Sequence, residues 1–347
     1  MATAQAQSFQ FGVEVEVLLE SCKRNHRMWE DLAEFLSKLL RNAGVGIRVG
    51  ASKKYEEWTI VPERSVQDQE NPWTYGVELV SPVYGADSIS TLNEDLHRIF
   101  DAIDSAKGDL AFSTSPQCST HVHISRTDPL SPGEVASLAR AALYFERALD
   151  QLMPPWRSDP ASHWARSNRA SINPALAGLS LAQCLAKLDA AAEAAAAQAG
   201  GDTRPVIEVM NLVTRDSRLA VARGRTADFV RGKNYKWNLT GLLSAPRPDD
   251  MDVDVPGTIE FRQPPGCARA EDGVVWAVLA VAFVAGAVAV GGRLGMGEEE
   301  EGGGGRVLGE EGGSVEELWE LFEQGRVVLG WEDLDVLKQL RSAGQTA

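Results

Sequence analysis

A chain of 347 residues with 44% apolar and 24% charged side chains can bury a sizeable core, which excludes global disorder. It carries 34 Lys and Arg against 49 Asp and Glu, a net charge of −15 that repels phosphate backbones and anionic bilayers, so neither nucleic acid nor a membrane surface is an expected partner. Cys22, Cys118, Cys184 and Cys267 are scattered without a C-x-x-C pair, and the opening residues have no basic and apolar leader, so a reduced, cytoplasmic protein is expected.

In chain order, Phe11 to Leu19 alternates as a strand, and Met28 to Asn42 reads as a helix with Trp29, Leu32, Leu36 and Leu39 on one stripe before Gly44. Strands are expected at Val45 to Val49, Trp58 to Val61, Tyr75 to Ser81 and Thr120 to Ser125, with a helix at Ser88 to Ser105 before the last of these. Ser131, Pro132 and Glu134 form an N-cap with a capping-box acid, opening a helix that should run to about Met153. Residues 154–231 read as helices and loops, with an Ala-rich helix near Leu179 to Ala199. Strand signals return at Tyr235 to Leu243 and Thr258 to Arg262.

The uncharged run Gly273 to Gly292 is long enough for a bilayer, yet it is mostly Ala, Val and Gly, and the buried helix of a large soluble domain is the favoured of the two readings. A Gly/Glu-rich loop at 293–313 precedes two short amphipathic helices, expected at Ser314 to Gln324 and Trp331 to Ser342. The expected organisation is one catalytic domain over 1–292 with a helical insertion at about 154–231, then the flexible loop and the helices of 314–347.

Alternation along four strands carries the functional signal. Phe11, Val13, Val15 and Val17 share one face and leave Glu14 and Glu16 together on the other. Val122 and Ile124 oppose His121 and His123; Ile259 and Phe261 oppose Glu260 and Arg262; Val77 and Leu79 oppose Glu78. Any one such pair fits the solvated face of an antiparallel sheet. Jointly they concentrate carboxylates and imidazoles beside a single cation, Arg262, and a bound divalent metal is the natural compensation. Oxygen-rich ligands with imidazole favour Mg²⁺ or Mn²⁺; a Cys118/His121/His123 zinc site is the alternative and leaves the glutamates unexplained.

Five strings in order, F-G-V-E-V-E-V, G-V-E-L-V-S-P, C-S-T-H-V-H-I, K-N-Y-K-W-N-L and T-I-E-F-R, resemble the amidoligase family, a distant relative of glutamine synthetase and glutamate–cysteine ligase. The resemblance implies an α+β fold: a curved antiparallel sheet of glutamine-synthetase-like type with helices on its convex face, binding ATP and metal. Position by position, it implies that Glu14 and His121 with Glu260 hold one metal, and Glu16 with Glu78 the other. His123 would face the acyl substrate or its phosphate, and Arg262 and Lys233 the transferring phosphoryl group, although Lys233, like its neighbours Arg231 and Lys236, is also readable as a solvated strand cation. Arg166, in the string Trp164-x-Arg166-x-Asn168, and Asn238 complete the candidate cofactor-binding residues, Asn238 being equally readable as a buried structural amide. The family pattern W-x-I-x-x-D-x-S appears as Trp58 to Ser65 with Glu63 where Asp is usual, so Glu63 is a candidate catalytic base or a supporting group.

The implied activity is an ATP-dependent carboxylate–amine ligase: ATP with Mg²⁺ or Mn²⁺ activates a small-molecule carboxylate as an acyl phosphate, which an amine, free or within an amino acid or peptide, attacks. The rivals are a metal-dependent amide hydrolase and a non-catalytic binding module on the same fold.

Overall fold

Alternating apolar and acidic side chains make Phe9–Ser21 a long strand, β1, in which Phe11, Val13, Val15 and Val17 are essentially inaccessible. This computed structural model describes residues 9–52, 54–68, 70–159, 162, 164–169, 175–197, 201–211, 234–243, 257–291, 294 and 312–343. After β1 come α1 (Trp29–Asn42), β2 (Ile47–Val49), β3 (Trp58–Pro62), β4 (Thr74–Val80), β5 (Tyr84–Gly85), α2 (Ile89–Ser105), β6 (Leu110–Ser113) and β7 (Thr120–Arg126). Then follow α3 (Pro132–Tyr144), α4 (Glu146–Asp150), α5 (Pro155–Ser158), α6 (Leu181–Ala196), α7 (Arg204–Asn211), β8 (Trp237–Asn238), β9 (Ile259–Phe261), α8 (Ala270–Val290), α9 (Val315–Leu329) and α10 (Lys338–Ala343). The class is α+β, as expected.

The chain forms two compact units. The first comprises Gln10–His123 and Pro264–Ala280; the second comprises Ile124–Gln263 and Val281–Ala347, with Phe9. In the first, strands run in the order β2-β3-β4-β1-β7, and β5 and β6 pair with the two ends of β1. The sheet is mixed rather than wholly antiparallel, because β2 and β3 run parallel, with Ile47 opposite Trp58. Between them the backbone enters the left-handed region at Gly50 (φ 89°) and Tyr55 (φ 48°). Leu32, Leu36 and Leu40 of α1 and Leu92, Leu96 and Ile99 of α2 are buried together with Val77 and Leu79 of β4 in the core of this unit.

The second unit is built around aromatics. Trp237 of β8 stacks on Phe261 of β9 (centroids 4.3 Å apart) and on Phe283 of α8 (4.8 Å), and Phe145 and Phe322 meet Phe283 edge-on. Two glycines bring α8 and α9 into backbone contact: a Cβ on Gly325 would collide with the Ala282 carbonyl, and one on Gly286 with that of Leu321. The capping box at Ser131 and Glu134 is present as predicted. The helix it opens does not reach Met153 unbroken, however, since Gly313 N–H donates to the Tyr144 carbonyl at 2.9 Å and α3 ends there. A bond from 169 residues away leaves no trace in local periodicity.

Other departures are of the same kind. The strands expected at Tyr235 to Leu243 and Thr258 to Arg262 shrink to β8 and β9, and the last helix is limited to α10 after a 3₁₀ turn at Asp335–Leu337. α8 is the one helix among the described residues long and apolar enough to cross a membrane, and 83% of its apolar window is buried inside the protein, in line with the core-helix reading. Most of the expected 293–313 loop and much of the 154–231 insertion lie outside the described residues.

Candidate functional site

Three strands of the first unit deliver acids and imidazoles to one face. In the β1/β4 ladder Glu16 stands opposite Glu78, and in the β3/β4 ladder Val61 stands opposite Glu78. The ladder continues one step past β3, where Glu63 N–H donates to Gly76 O at 3.0 Å. Residues i and i+2 share a face, so Glu63 joins the side of Val61, Glu78 and Glu16. Gly76 permits this approach: a Cβ there would overlap the carbonyl oxygens of both Glu63 and Val66, which fold directly over it.

β7 adds the histidines. Ser119, just before it, accepts from Glu16 N–H at 3.0 Å and donates its own N–H to Glu16 Oε2 at 2.7 Å, fixing both the backbone and one carboxylate oxygen of Glu16. Val122 and Ile124 are fully buried behind the strand, while His121 Nδ1 lies 3.1 Å from Glu14 Oε2 and His123 Nε2 3.2 Å from Glu14 Oε1. His121 Nε2 is 3.7 Å from Glu16 Oε1. Burial by itself would raise the Glu14 carboxyl; the charges of His123 and His121 and their hydrogen bonds outweigh it and hold Glu14 well below the usual carboxylate range.

Ligand atoms therefore converge in two groups of this unit, Glu14/Glu78/His121 and Glu16/Glu63/Glu78, each with one atom per residue within 4.8 Å of the others. Glu78 serves both groups, and Glu63 stands among carboxylates rather than apart from them. Neither group contains a thiolate: Cys118 Sγ is buried and accepts from Ser115 N–H. The donors are hard oxygens with one imidazole, a set suited to Mg²⁺ or Mn²⁺ and not to a Cys/His/His zinc centre.

The second unit gathers the other predicted residues on β8 and β9. Asn238 stands opposite Glu260, its Nδ2 donates to Glu260 Oε2 at 2.8 Å, and its Oδ1 accepts from Thr240 N–H and Oγ1. Arg262 Nη1 pairs with Glu260 Oε1. Asn238 is buried, and its amide orients Glu260. Arg166 contributes backbone bonds, its N–H to Asn234 O and its carbonyl to Lys236 N–H. Lys233 and Arg231 lie outside the described residues; Lys236 is buried and salt-bridged to Asp150 at 2.5 Å.

Sequence reading missed three supports of this strand pair: Arg157, Asp150 and Asn211. Asn168 and Asn211 together act as a substitute edge strand for β8. Asn168 exchanges bonds with Trp237 N–H and O, and Asn211 donates to Trp237 O and accepts from Leu239 N–H. The string Trp164-x-Arg166-x-Asn168 marked Asn168; no local signal distinguishes the other three.

Residues 7–175 match the family described as "putative amidoligase enzyme", so the resemblance read from the motifs of β1, β4 and β7 is met over that segment, just under half of the chain. The strings K-N-Y-K-W-N-L and T-I-E-F-R lie beyond it. No curated protein matches the chain.

Proposed function

We propose that this chain is an ATP- and divalent-metal-dependent ligase that joins a small-molecule carboxylate to an amine. The observation that carries the reading is the pair of three-ligand groups, Glu14/Glu78/His121 and Glu16/Glu63/Glu78, within the segment that matches the amidoligase family. Divalent cations held there would neutralise the charge of a nucleotide triphosphate as its γ-phosphoryl passes to the carboxylate.

The protein's own residues have definable tasks in this proposal. Hydrogen bonds from His121 and His123 favour the ionised form of Glu14 against the burial that opposes it, and that form is an oxygen ligand. Ser119 N–H anchors Glu16 Oε2, which restricts the rotamer freedom a cation would otherwise have to freeze. Glu63 is better suited to ligation than to a free base role, given its carboxylate neighbours. His123, whose Nε2 lies 3.2 Å from Glu14 Oε1, would orient the acyl substrate. Arg262, fixed by Glu260, offers the guanidinium fork that matches a phosphoryl group.

The test is ADP release by the purified chain with ATP and Mg²⁺ or Mn²⁺, against pools of amino acids, polyamines and carboxylic acids. Turnover with one acid and one amine together, lost in Glu14→Gln and Glu16→Gln, is the expected result. Amide cleavage without ATP would replace the ligase by a hydrolase, and absence of both turnover and nucleotide binding would leave a binding module.

A further inference from the structure

Glu260 lies on a strand of only three residues, Ile259–Phe261, and Arg262 follows it directly before the chain leaves through Gln263, Pro264 and Pro265, two prolines that cannot donate to a ladder. Past it Thr120 N–H donates to Pro264 O at 3.3 Å and Pro265 pairs with Ser119 in an isolated bridge, while the carbonyls of Arg262 and Gln263 are taken by a side chain. Arg157 of α5, a helix of a single turn, is 2% exposed and directs two donors at consecutive carbonyls there: Nη2 to Arg262 O at 2.6 Å and Nε to Gln263 O at 2.7 Å. A buried guanidinium spent on backbone carbonyls adds two charge-assisted bonds at the end of the strand.

The other side of the exit is held by Asp150 of α4. Its Oδ1 accepts from Gln263 Nε2 at 2.5 Å and from Lys236 Nζ at 2.5 Å, and Lys236 O in turn accepts from Arg262 N–H at 2.9 Å. Glu146, one turn earlier on α4, lies 3.9 Å from the same Lys236 ammonium, and binds Ser167 Oγ and Asn168 N–H, so it ties β8 to the same helix. The residue bearing the proposed phosphoryl-binding guanidinium thus has its carbonyl gripped by Arg157, its amide by Lys236, and its successor by Asp150.

We infer that Arg157, with Asp150 opposite it, is a positioning residue for Arg262 and Glu260: it contributes no atom to the substrate and sets where the Arg262 guanidinium stands. The inference rests on the ligase reading for its functional meaning, but the clamp itself can be measured without any activity. Lys at position 157 keeps the charge and cannot span both carbonyls, and Asn at position 150 keeps the shape and removes the charge that binds Lys236 and Gln263.

The experiment compares wild type, Arg157→Lys and Asp150→Asn in the full chain by two readouts: amide hydrogen exchange of a peptide covering Ile259 to Gln263, and metal-dependent ADP release resolved into kcat and KM for ATP. Loss of the clamp should speed exchange at the Arg262 amide at least about tenfold through local opening, with exchange in β1 and β4 unchanged. It should lower kcat by about a hundredfold, the scale of a ~1 Å misplacement, with KM for ATP changed by less than about threefold. Exchange at Arg262 and kcat both at wild-type values would overturn the inference, as would uniform acceleration of exchange across the chain. If wild type shows no ADP release, the ligase reading fails by itself, and the exchange result alone decides whether Arg157 holds β9. Should Arg157→Lys not fold, Asp150→Asn carries the same two readouts.

Discussion

Replacing Gly76 with Ala tests the local geometry that admits Glu63 to the acidic face. The added methyl would stand closer than 3.0 Å to the carbonyl oxygens of Val66 and Glu63, both backbone atoms that cannot rotate away. Ordinary contact begins near 3.4 Å, so the segment from Glu63 to Val66 must withdraw by about 1 Å or β4 must buckle. Overpacking of this kind costs about 1–3 kcal/mol, and a displaced Glu63 leaves the 4.8 Å group with Glu16 and Glu78. Thermal melts with and without Mn²⁺ measure both effects. Wild type should gain stability from Mn²⁺, by about 2.7 kcal/mol at a hundred times the dissociation constant. Gly76→Ala should melt lower without metal and lose most of that gain; Glu63→Gln should lose the gain while melting close to wild type. Gly108→Ala, where an added Cβ meets nothing within 4 Å, is the neutral control. A Gly76→Ala protein with unchanged melting and an unchanged Mn²⁺ response would refute the placement of Glu63 over β4.

Gly325→Ala should destabilise the protein by about 1–3 kcal/mol in a denaturant titration, since its Cβ would meet the backbone of Ala282 and force α8 and α9 apart. Asn168→Leu removes the acceptor for the buried Trp237 N–H and should cost about 1–3 kcal/mol, with faster hydrogen exchange at Trp237 and Leu239. Glu134 is raised by partial burial but held below the usual carboxylate range by the Ser131 backbone bond and by Arg126. Its contribution is therefore present above the unfolded-state value and disappears as pH falls through the lower folded one. Glu134→Gln should accordingly lower the melting temperature at pH 7, by an amount that shrinks as pH falls through the lowered folded-state value and the wild-type group takes up its proton.

Alternation of side chains was enough to pair Glu14 with Glu16, His121 with His123 and Glu260 with Arg262, because a strand's two-residue period is local and burial of Val13, Val15, Val122 or Ile259 needs no knowledge of partners. The capping box at Ser131 was legible for the same reason, and so were Leu32 and Leu36 of the α1 stripe, although Leu40 rather than Leu39 completes the buried face. Periodicity could not show that Glu78 would stand opposite Glu16 or that Glu63 would lie over Gly76, since both follow from register between strands far apart in the chain. It also missed the end of α3 at Tyr144, set by Gly313, and the dependence of β8 on Asn168 and Asn211.

By itself, then, the order of residues determined which side chains are chemically equipped for hard cations and on which face of its own strand each one lies. Tertiary structure alone decided which of them meet, that Glu78 is common to two ligand groups, and that Arg157 and Asp150 grip the exit of β9. The physical reason is range: a side chain's face is set by dihedral angles within two residues, whereas a ligand group needs carboxylates or an imidazole from three separate segments within 4.8 Å, a distance that only strand register and loop closure can impose.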